Sequence, residues 1–300
     1  MKIIKKLVFT VSLFVISSAM MMSQTIFSNY KISFGNLYTI KDGDLIKESV
    51  DGEYTVIDEG GRSVIATIKN GQIDGEFKEY YENGELYIIG KYTNGMKQES
   101  WKTYSETGKL WIKDEYKDDK LNGEHYKNYT STMKYSECGN YKDGVKDGKW
   151  TEYYENGEKS SEGNYYNNQK VDEWIEWSST GKKDTEANYI NGELYGKTIR
   201  YQGNGNIFYE ADIDESETKI KAYFPDGNIN FEGTLVDNKR SGKWKFYDKN
   251  KLVISIKEYE NGTKKFYGKI EVLLEDEKLT NEQDINLIEF FEVLEELEML

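Results

Sequence analysis

Residues 147–171 read DGKWTEYYENGEKSSEGNYYNNQKV, and residues 74–97 read DGEFKEYYENGELYIIGKYTNGMK. The two stretches share an Asp-Gly opening, an aromatic, a Tyr-Tyr pair and an Asn-Gly, in the same order and at the same offsets. Self-similarity of this kind is read before local structure, because it decides the architecture. Working outward, an aromatic ladder runs through Tyr80, Tyr104, Tyr129, Tyr153, Trp177, Tyr201, Tyr223 and Tyr247, with steps of 24, 25, 24, 24, 24, 22 and 24. A second ladder, Tyr92, Tyr116, Tyr141, Tyr165, Tyr189, Ile213, Leu235 and Tyr259, has the same steps, including the one-residue insertion and the two-residue deletion. A third lies three residues before the first: Phe77, Trp101, Tyr126, Trp150, Trp174 and Trp244, with Thr198 and Ile220 as weaker members.

The unit reads G-x-W-x-x-Y-x-x-x-G-x-x-x-x-x-G-x-Y-x-x-G, and about eight copies fill residues 73–265. Each copy predicts two short strands. The first carries W-x-x-Y, as in Lys149–Tyr154, and leads into Asn-Gly or its like, a strong hairpin signal. The second ends at the later Tyr, as in Leu86–Tyr92, and exits through another turn such as Asn94-Gly95, Asp143-Gly144 or Asn191-Gly192. With no helix between strands there is no βαβ crossover. The expected fold is therefore all-β: an elongated antiparallel meander of stacked hairpins, an open solenoid-like sheet, followed by a C-terminal α-helix. Residues 24–72 hold degenerate copies, as a terminal cap would.

Composition agrees. Only 37% of the 300 residues are hydrophobic, yet 14% are aromatic, with 25 Tyr and 27 Gly but one Pro. Disordered chains are poor in aromatics, so the chain is expected to fold, and Tyr with Gly suits strands and tight turns. The formal net charge of −14 disfavours nucleic acid and anionic lipid, and favours a cationic or polar partner. Cys138 and His125 are the only residues of their types, so an internal disulfide and a four-ligand Cys/His zinc site are excluded. As a Cys–His catalytic pair they fit poorly, since sister copies carry unrelated residues there.

The opening MKIIKKLVFTVSLFVISSAMMMSQT has lysines, then an uncharged apolar run from Leu7 to Met22. That pattern predicts a signal peptide over residues 1–23, with cleavage after Ala19 or near Ser23. The run is short for a span, so no transmembrane segment is expected in the mature chain. The expected location is secreted, periplasmic or at the cell envelope. Residues 266–300 break the repeat. Within TNEQDINLIEFFEVLEELEML, residues 280–300, Ile285, Ile288, Phe291, Leu294 and Leu297 recur at helical spacing behind a capping Thr280 or Asn281. This acidic amphipathic helix either closes the last hairpin or docks in a partner's groove.

The G-x-W-x-x-Y-x-x-x-G and E-G-x-Y-x-x-G patterns, as in Asp147–Gly157 and Ser161–Tyr165, resemble the MORN repeat. More closely they resemble the bacterial variant of YwqK-type, antitoxin-like proteins, over roughly two thirds of the chain. The resemblance implies stacked β-hairpins used mostly for binding, and its antitoxin label implies neutralisation of a toxin protein.

Strand side chains alternate between faces. Trp150 and Tyr153, three apart, are expected on opposite faces, so each face carries a column of aromatics. One column is core. Part of the other is expected to be open to an extended peptide or glycan, with Trp101, Trp150, Trp174, Trp177, Trp244 and Tyr153 as candidate binding residues. No P-loop or G-x-S-x-G occurs. Lys117–Gly123 fails as a calcium loop because Lys120 takes a ligand place. No enzyme activity, cofactor or metal site is expected. The expected function is an exported, monomeric repeat protein that binds a protein partner along its sheet. The alternatives are a toxin-neutralising antitoxin or immunity protein, and a glycan-binding protein.

Overall fold

A computed structural model describes residues 23–33, 35–41 and 44–265. The expected signal peptide up to Met22 and the expected helix over Ile285, Ile288, Phe291, Leu294 and Leu297 lie outside the described residues. The described chain is all-β, and consecutive strands pair as antiparallel hairpins. It divides into two compact units, Met1–Gly123 and Glu124–Leu300.

In the first unit, strands Gly52–Ile57, Ser63–Lys69, Gln72–Tyr80, Leu86–Thr93, Met96–Tyr104 and Leu110–Lys117 form an antiparallel meander. One pairing departs from the antiparallel expectation: Ser23–Phe27 runs parallel to Gly52–Ile57. A parallel neighbour needs a long connection. It is supplied by a separate three-stranded sheet, Tyr30–Ser33, Asn36–Lys41 and Asp44–Lys47, whose Leu37 is fully buried in the unit's core.

In the second unit the meander runs from Tyr135–Lys142 through Gly148–Tyr153, Lys159–Tyr166, Gln169–Trp177, Lys183–Ile190, Glu193–Tyr201, Ile207–Ile213, Thr218–Tyr223, Ile229–Val236, Lys239–Tyr247 and Val253–Glu260 to Thr263–Lys265. Two kinds of turn alternate. At Asn94-Gly95, Asn167-Asn168, Asn191-Gly192 and Asp237-Asn238 both residues have positive φ. This is the two-residue geometry whose twist matches paired strands, and Asn, Asp and Gly tolerate it best. The Asn-Gly pairs that follow W-x-x-Y close a longer loop, in which Tyr154 N donates to Glu158 O at 2.9 Å and only Gly157 is left-handed. Here the Asn side chain does a second job. Asn156 Nδ2 donates to Ser179 O in the next loop at 2.6 Å, and Asn204 Nδ2 donates to Pro225 O at 3.0 Å.

These loops correct two ladder assignments. Tyr129 belongs with Tyr154, because the hydroxyl of Tyr129 donates to Tyr153 O and that of Tyr154 to Trp177 O, both at 2.7 Å. His125, not Tyr126, takes the tryptophan position: it is buried and stacks on Trp150 at 5.5 Å. The inserted residue lies in the loop after Tyr129, where the closing bond reaches Lys134. The two-residue deletion falls at the 214–217 turn, and the hairpin there pairs without a bulge.

The core is built from a recurring set of four groups. Trp150, Trp174 and Trp244 turn to one face, and a Cβ added to Gly139, Gly163 or Gly233 respectively would overlap the indole. Above the ring sits a cation four residues upstream: Lys146 lies 3.8 Å from the Trp150 centroid, Lys170 4.4 Å from that of Trp174, and Arg240 5.0 Å from that of Trp244. Tyrosines of the second ladder meet the indoles edge-on, Tyr141 and Tyr165 flanking Trp150 at 5.3 and 6.0 Å. The indole Nε1 donates to the backbone, as from Trp174 to Asn164 O at 3.0 Å. The first unit has the same set at Gly90, Trp101, Lys97 and Tyr92. In three copies without an indole, alanine takes the place of the glycine. Ala187 pairs with Thr198, Ala211 with Ile220 and Ala66 with Phe77, and Leu194 and Ile73 replace the cation upstream of Thr198 and Phe77.

Candidate functional site

The opposite face of the second unit is organised by one row of directly paired residues. It runs Cys138, Thr151, Glu162, Ile175, Glu186, Ile199, Glu210, Lys221, Glu232, Lys245, Ile256, one residue from each successive strand. From Cys138 to Lys245 each row residue is next in sequence to a core-facing residue, such as Ile175 to Trp174 or Lys245 to Trp244. Alternation therefore sends it outward.

The row's carboxylates are held by lysines and by aromatics of the first ladder. Glu162 receives Lys149 at 3.1 Å and Lys159 at 2.5 Å. Glu186 receives Lys183 and, at 3.0 Å, the Tyr201 hydroxyl. Glu210 receives Tyr223 at 2.7 Å, with Lys197 and Lys221 at 3.7 and 3.9 Å. Glu232 receives Lys245 and Tyr247, both at 2.9 Å. Bonds from Lys183 hold Glu186 below the usual carboxylate range, and those from Lys245 do the same for Glu232. At Glu162 partial burial pulls the other way and is outweighed by Lys159 and Lys149. Burial, then the carboxylate bond, raises Tyr201, Tyr223 and Tyr247. Glu162, Glu186 and Glu232 are thus ionised acceptors, and the phenols are fixed donors.

Aromatics flank the row. Tyr126, Tyr135 and Tyr153 form a tilted cluster with centroids 5.9 and 6.2 Å apart, and Tyr135 is exposed. Trp177 follows, half-buried, with Lys159 at 5.7 Å from its ring. Over the later hairpins the face dips into a concavity of about 470 Å³, lined by Lys197, Lys219, Lys221, Lys243, Lys245 and Glu232 among others.

This separates the six aromatics singled out from the sequence. Trp101, Trp150, Trp174 and Trp244 are 6, 1, 3 and 0% exposed, each closed between a glycine backbone and a cation. Their rings have no free face to offer a ligand. Tyr153 and Trp177 lie on the other side and remain half-exposed. The sequence does not single out these glutamates, because acidic residues occur throughout it and mostly recur in phase with the repeat, as solvated strand residues do. What distinguishes them is position: each of Glu162, Glu186, Glu210 and Glu232 immediately precedes the Gly or Ala that faces the core.

His125 and Cys138 do not meet as a catalytic pair. His125 lies 3.8 Å from Glu137, while Cys138 begins the outer row beside Tyr153. Among the described residues no cluster of His, Cys, Asp and Glu has the arrangement to hold a metal ion, and no helix is long and apolar enough to cross a membrane.

A family model described as MORN repeat variant matches residues 73–94, 100–118 and 146–168. Such repeats suggest a repeat-based protein-binding role. No curated protein matches the chain.

Proposed function

We propose that the chain is an exported, non-enzymatic repeat protein that binds a protein partner at the bacterial envelope or outside the cell, and that the outer face of residues 124–265 is the contact surface. The observation that carries this reading is the division of aromatics between faces. One set is consumed by the core, while Tyr135, Tyr153, Trp177, Tyr201, Tyr223 and Tyr247 line an outer row in which glutamates are paired with lysines. Rigid aromatics beside fixed charges give contact area with little entropy loss and supply partner selection. The non-enzymatic reading is supported by the row's chemistry. Glu162, Glu186 and Glu232 are engaged by cations and held ionised, whereas a general acid needs a raised pKa. Export rests on the signal-peptide pattern.

The test is a pull-down of envelope and extracellular proteins with the full exported chain, beside the variant Tyr153→Ser/Trp177→Ser/Tyr201→Ser. A partner held by the parent and lost by the variant supports the reading. A partner held equally by both contradicts the assignment of the face. Capture of a small toxin-like protein shifts the role to the antitoxin type.

A further inference from the structure

Eight Asn-Gly pairs punctuate the chain, and the fold restrains seven of them. In such a pair the glycine nitrogen can attack the asparagine carboxamide, because glycine has no side chain to shield it. Three pairs close the longer loops, and there the asparagine side chain is committed at both ends. Nδ2 of Asn83, Asn156 and Asn204 donates to a carbonyl of the next loop, and Oδ1 accepts the backbone N–H two residues on. The carboxamide cannot turn onto its own glycine without giving up both bonds. Three pairs form two-residue turns, and there the glycine is committed instead. The N–H of Gly95, Gly192 and Gly262 donates to the carbonyl of Ile73, Lys170 and Arg240 at 2.9, 2.9 and 3.0 Å, in each case 22 residues upstream. Asn122, the seventh, is half-buried within strand Lys120–Asn128.

Asn70-Gly71 differs. It joins Ser63–Lys69 to Gln72–Tyr80 in a turn of the second kind, with φ of 51° and 71°. Its asparagine is held as its sister is: Asn70 N donates to Asp51 Oδ1 at 2.7 Å, and Asn94 N to Asp74 Oδ2 at 3.0 Å. Its glycine is not. As the first turn of its series it has no upstream hairpin turn to donate to. The residue 22 positions earlier is Ser49, which lies outside the repeat, between strands Asp44–Lys47 and Gly52–Ile57. Ser49 turns its side chain towards Gly71, with its Cβ 3.8 Å from a Cβ built on the glycine. The Gly71 N–H therefore has no acceptor among the described residues, and Asn70 is exposed.

We propose that Asn70 is a site of spontaneous modification, converting to isoaspartate and aspartate while the chain is folded. Gly71 N attacks Asn70 Cγ and closes a succinimide ring. The Cγ–Nδ2 bond breaks, and ammonia leaves with the proton that Gly71 gives up. Water then opens the ring. Cleavage of the N–Cγ bond gives aspartate, and cleavage of the bond to the backbone carbonyl carbon gives isoaspartate. Isoaspartate carries the main chain through the side-chain methylene, so it lengthens the turn and loosens the Lys69–Gln72 pair that closes it. Either product puts a new carboxylate beside Asp51. The site belongs to the first unit and stands apart from the partner reading.

The full exported chain is aged at pH 8 in water enriched in heavy oxygen, then mapped by mass spectrometry with electron-transfer fragmentation, which separates isoaspartate from aspartate. Heavy oxygen at residue 70 marks ring opening that took place during ageing. A parallel sample is aged in guanidinium chloride. In the folded chain Asn70 is expected to convert at least about fivefold faster than Asn94, Asn191 or Asn261, the factor that one backbone hydrogen bond supplies. In denaturant the four rates should converge. Conversion at Asn70 no faster than at the other three, or a lead for Asn70 that persists in denaturant, would overturn the proposal.

Discussion

Gly163 lies flat beneath the indole of Trp174, and its strand bulges at that point, between Glu162 and Asn164. The same relationship joins Gly90 to Trp101, Gly139 to Trp150 and Gly233 to Trp244. Gly163→Ala is therefore expected to cost about 1–3 kcal/mol, as overpacking does. Trp174→Thr alone is expected to cost about 3–5 kcal/mol from lost burial. The double variant reproduces the natural Ala187–Thr198 pair, so it should cost less than the sum, with a coupling of about 1 kcal/mol or more. Denaturant titration of the four proteins closes the cycle, and additivity within error would remove the size-matching account.

The two faces should respond differently to truncation. Trp150, 1% exposed, is expected to lose about 3–5 kcal/mol as Trp150→Ala. Trp177→Ser and Tyr153→Ser, on the half-exposed outer face, should each lose no more than about 1 kcal/mol. Thermal melts followed by near-ultraviolet circular dichroism make the comparison.

Glu137 makes a pH prediction. The His125 imidazole, 3.8 Å away, is the main cause; partial burial pulls the other way, Lys127 at 3.3 Å adds to the lowering, and the net effect brings Glu137 to about 2 from an ordinary 4.5. A carboxylate depressed by folding contributes stability that is fully present above 4.5 and lost as the pH falls towards 2. Allowing for solvent screening, Glu137→Gln should cost about 1–2 kcal/mol at pH 7 and almost nothing at pH 2. Urea titrations of both proteins at pH 7, 5, 3 and 2 give the curve. A gap that widens on acidification would contradict the assignment.

Asn156 joins two loops. Its Nδ2 donates to Ser179 O while its Oδ1 accepts from Glu158 N at 3.0 Å. Asn156→Ala should cost about 0.5–1.5 kcal/mol and speed amide exchange at Glu158, which loses its acceptor. Exchange followed by mass spectrometry localises the effect.

The repeat period, the hairpins and the turn positions follow from the sequence because turn chemistry is local: Asn, Asp and Gly reveal positive φ without reference to anything distant. What a strand pattern alone does not reveal is which face becomes core. Trp150 and Tyr153 alternate equally well either way. Only the covariation of Gly163 with Trp174, and of Ala187 with Thr198, distinguishes the faces, and it links residues 11 apart across a bulge. Tyr126 and Tyr129 differ from their ladder places for a related reason. An inserted residue can sit anywhere between two ladder positions, and aromatic neighbours such as Tyr126 mask the choice. The parallel Ser23–Phe27 strand lies outside the repeat altogether, so no periodicity announced it.

The central claim, that binding uses the outer row, is tested most directly by site-specific photo-cross-linking in living cells. A photoreactive phenylalanine is placed at Ile175 or Ile199 in the row, or at Val50, which is 58% exposed in the first unit. The account predicts one protein adduct of constant mass from positions 175 and 199 and none from 50. An adduct from 50 alone, or equal yields from all three, would contradict it.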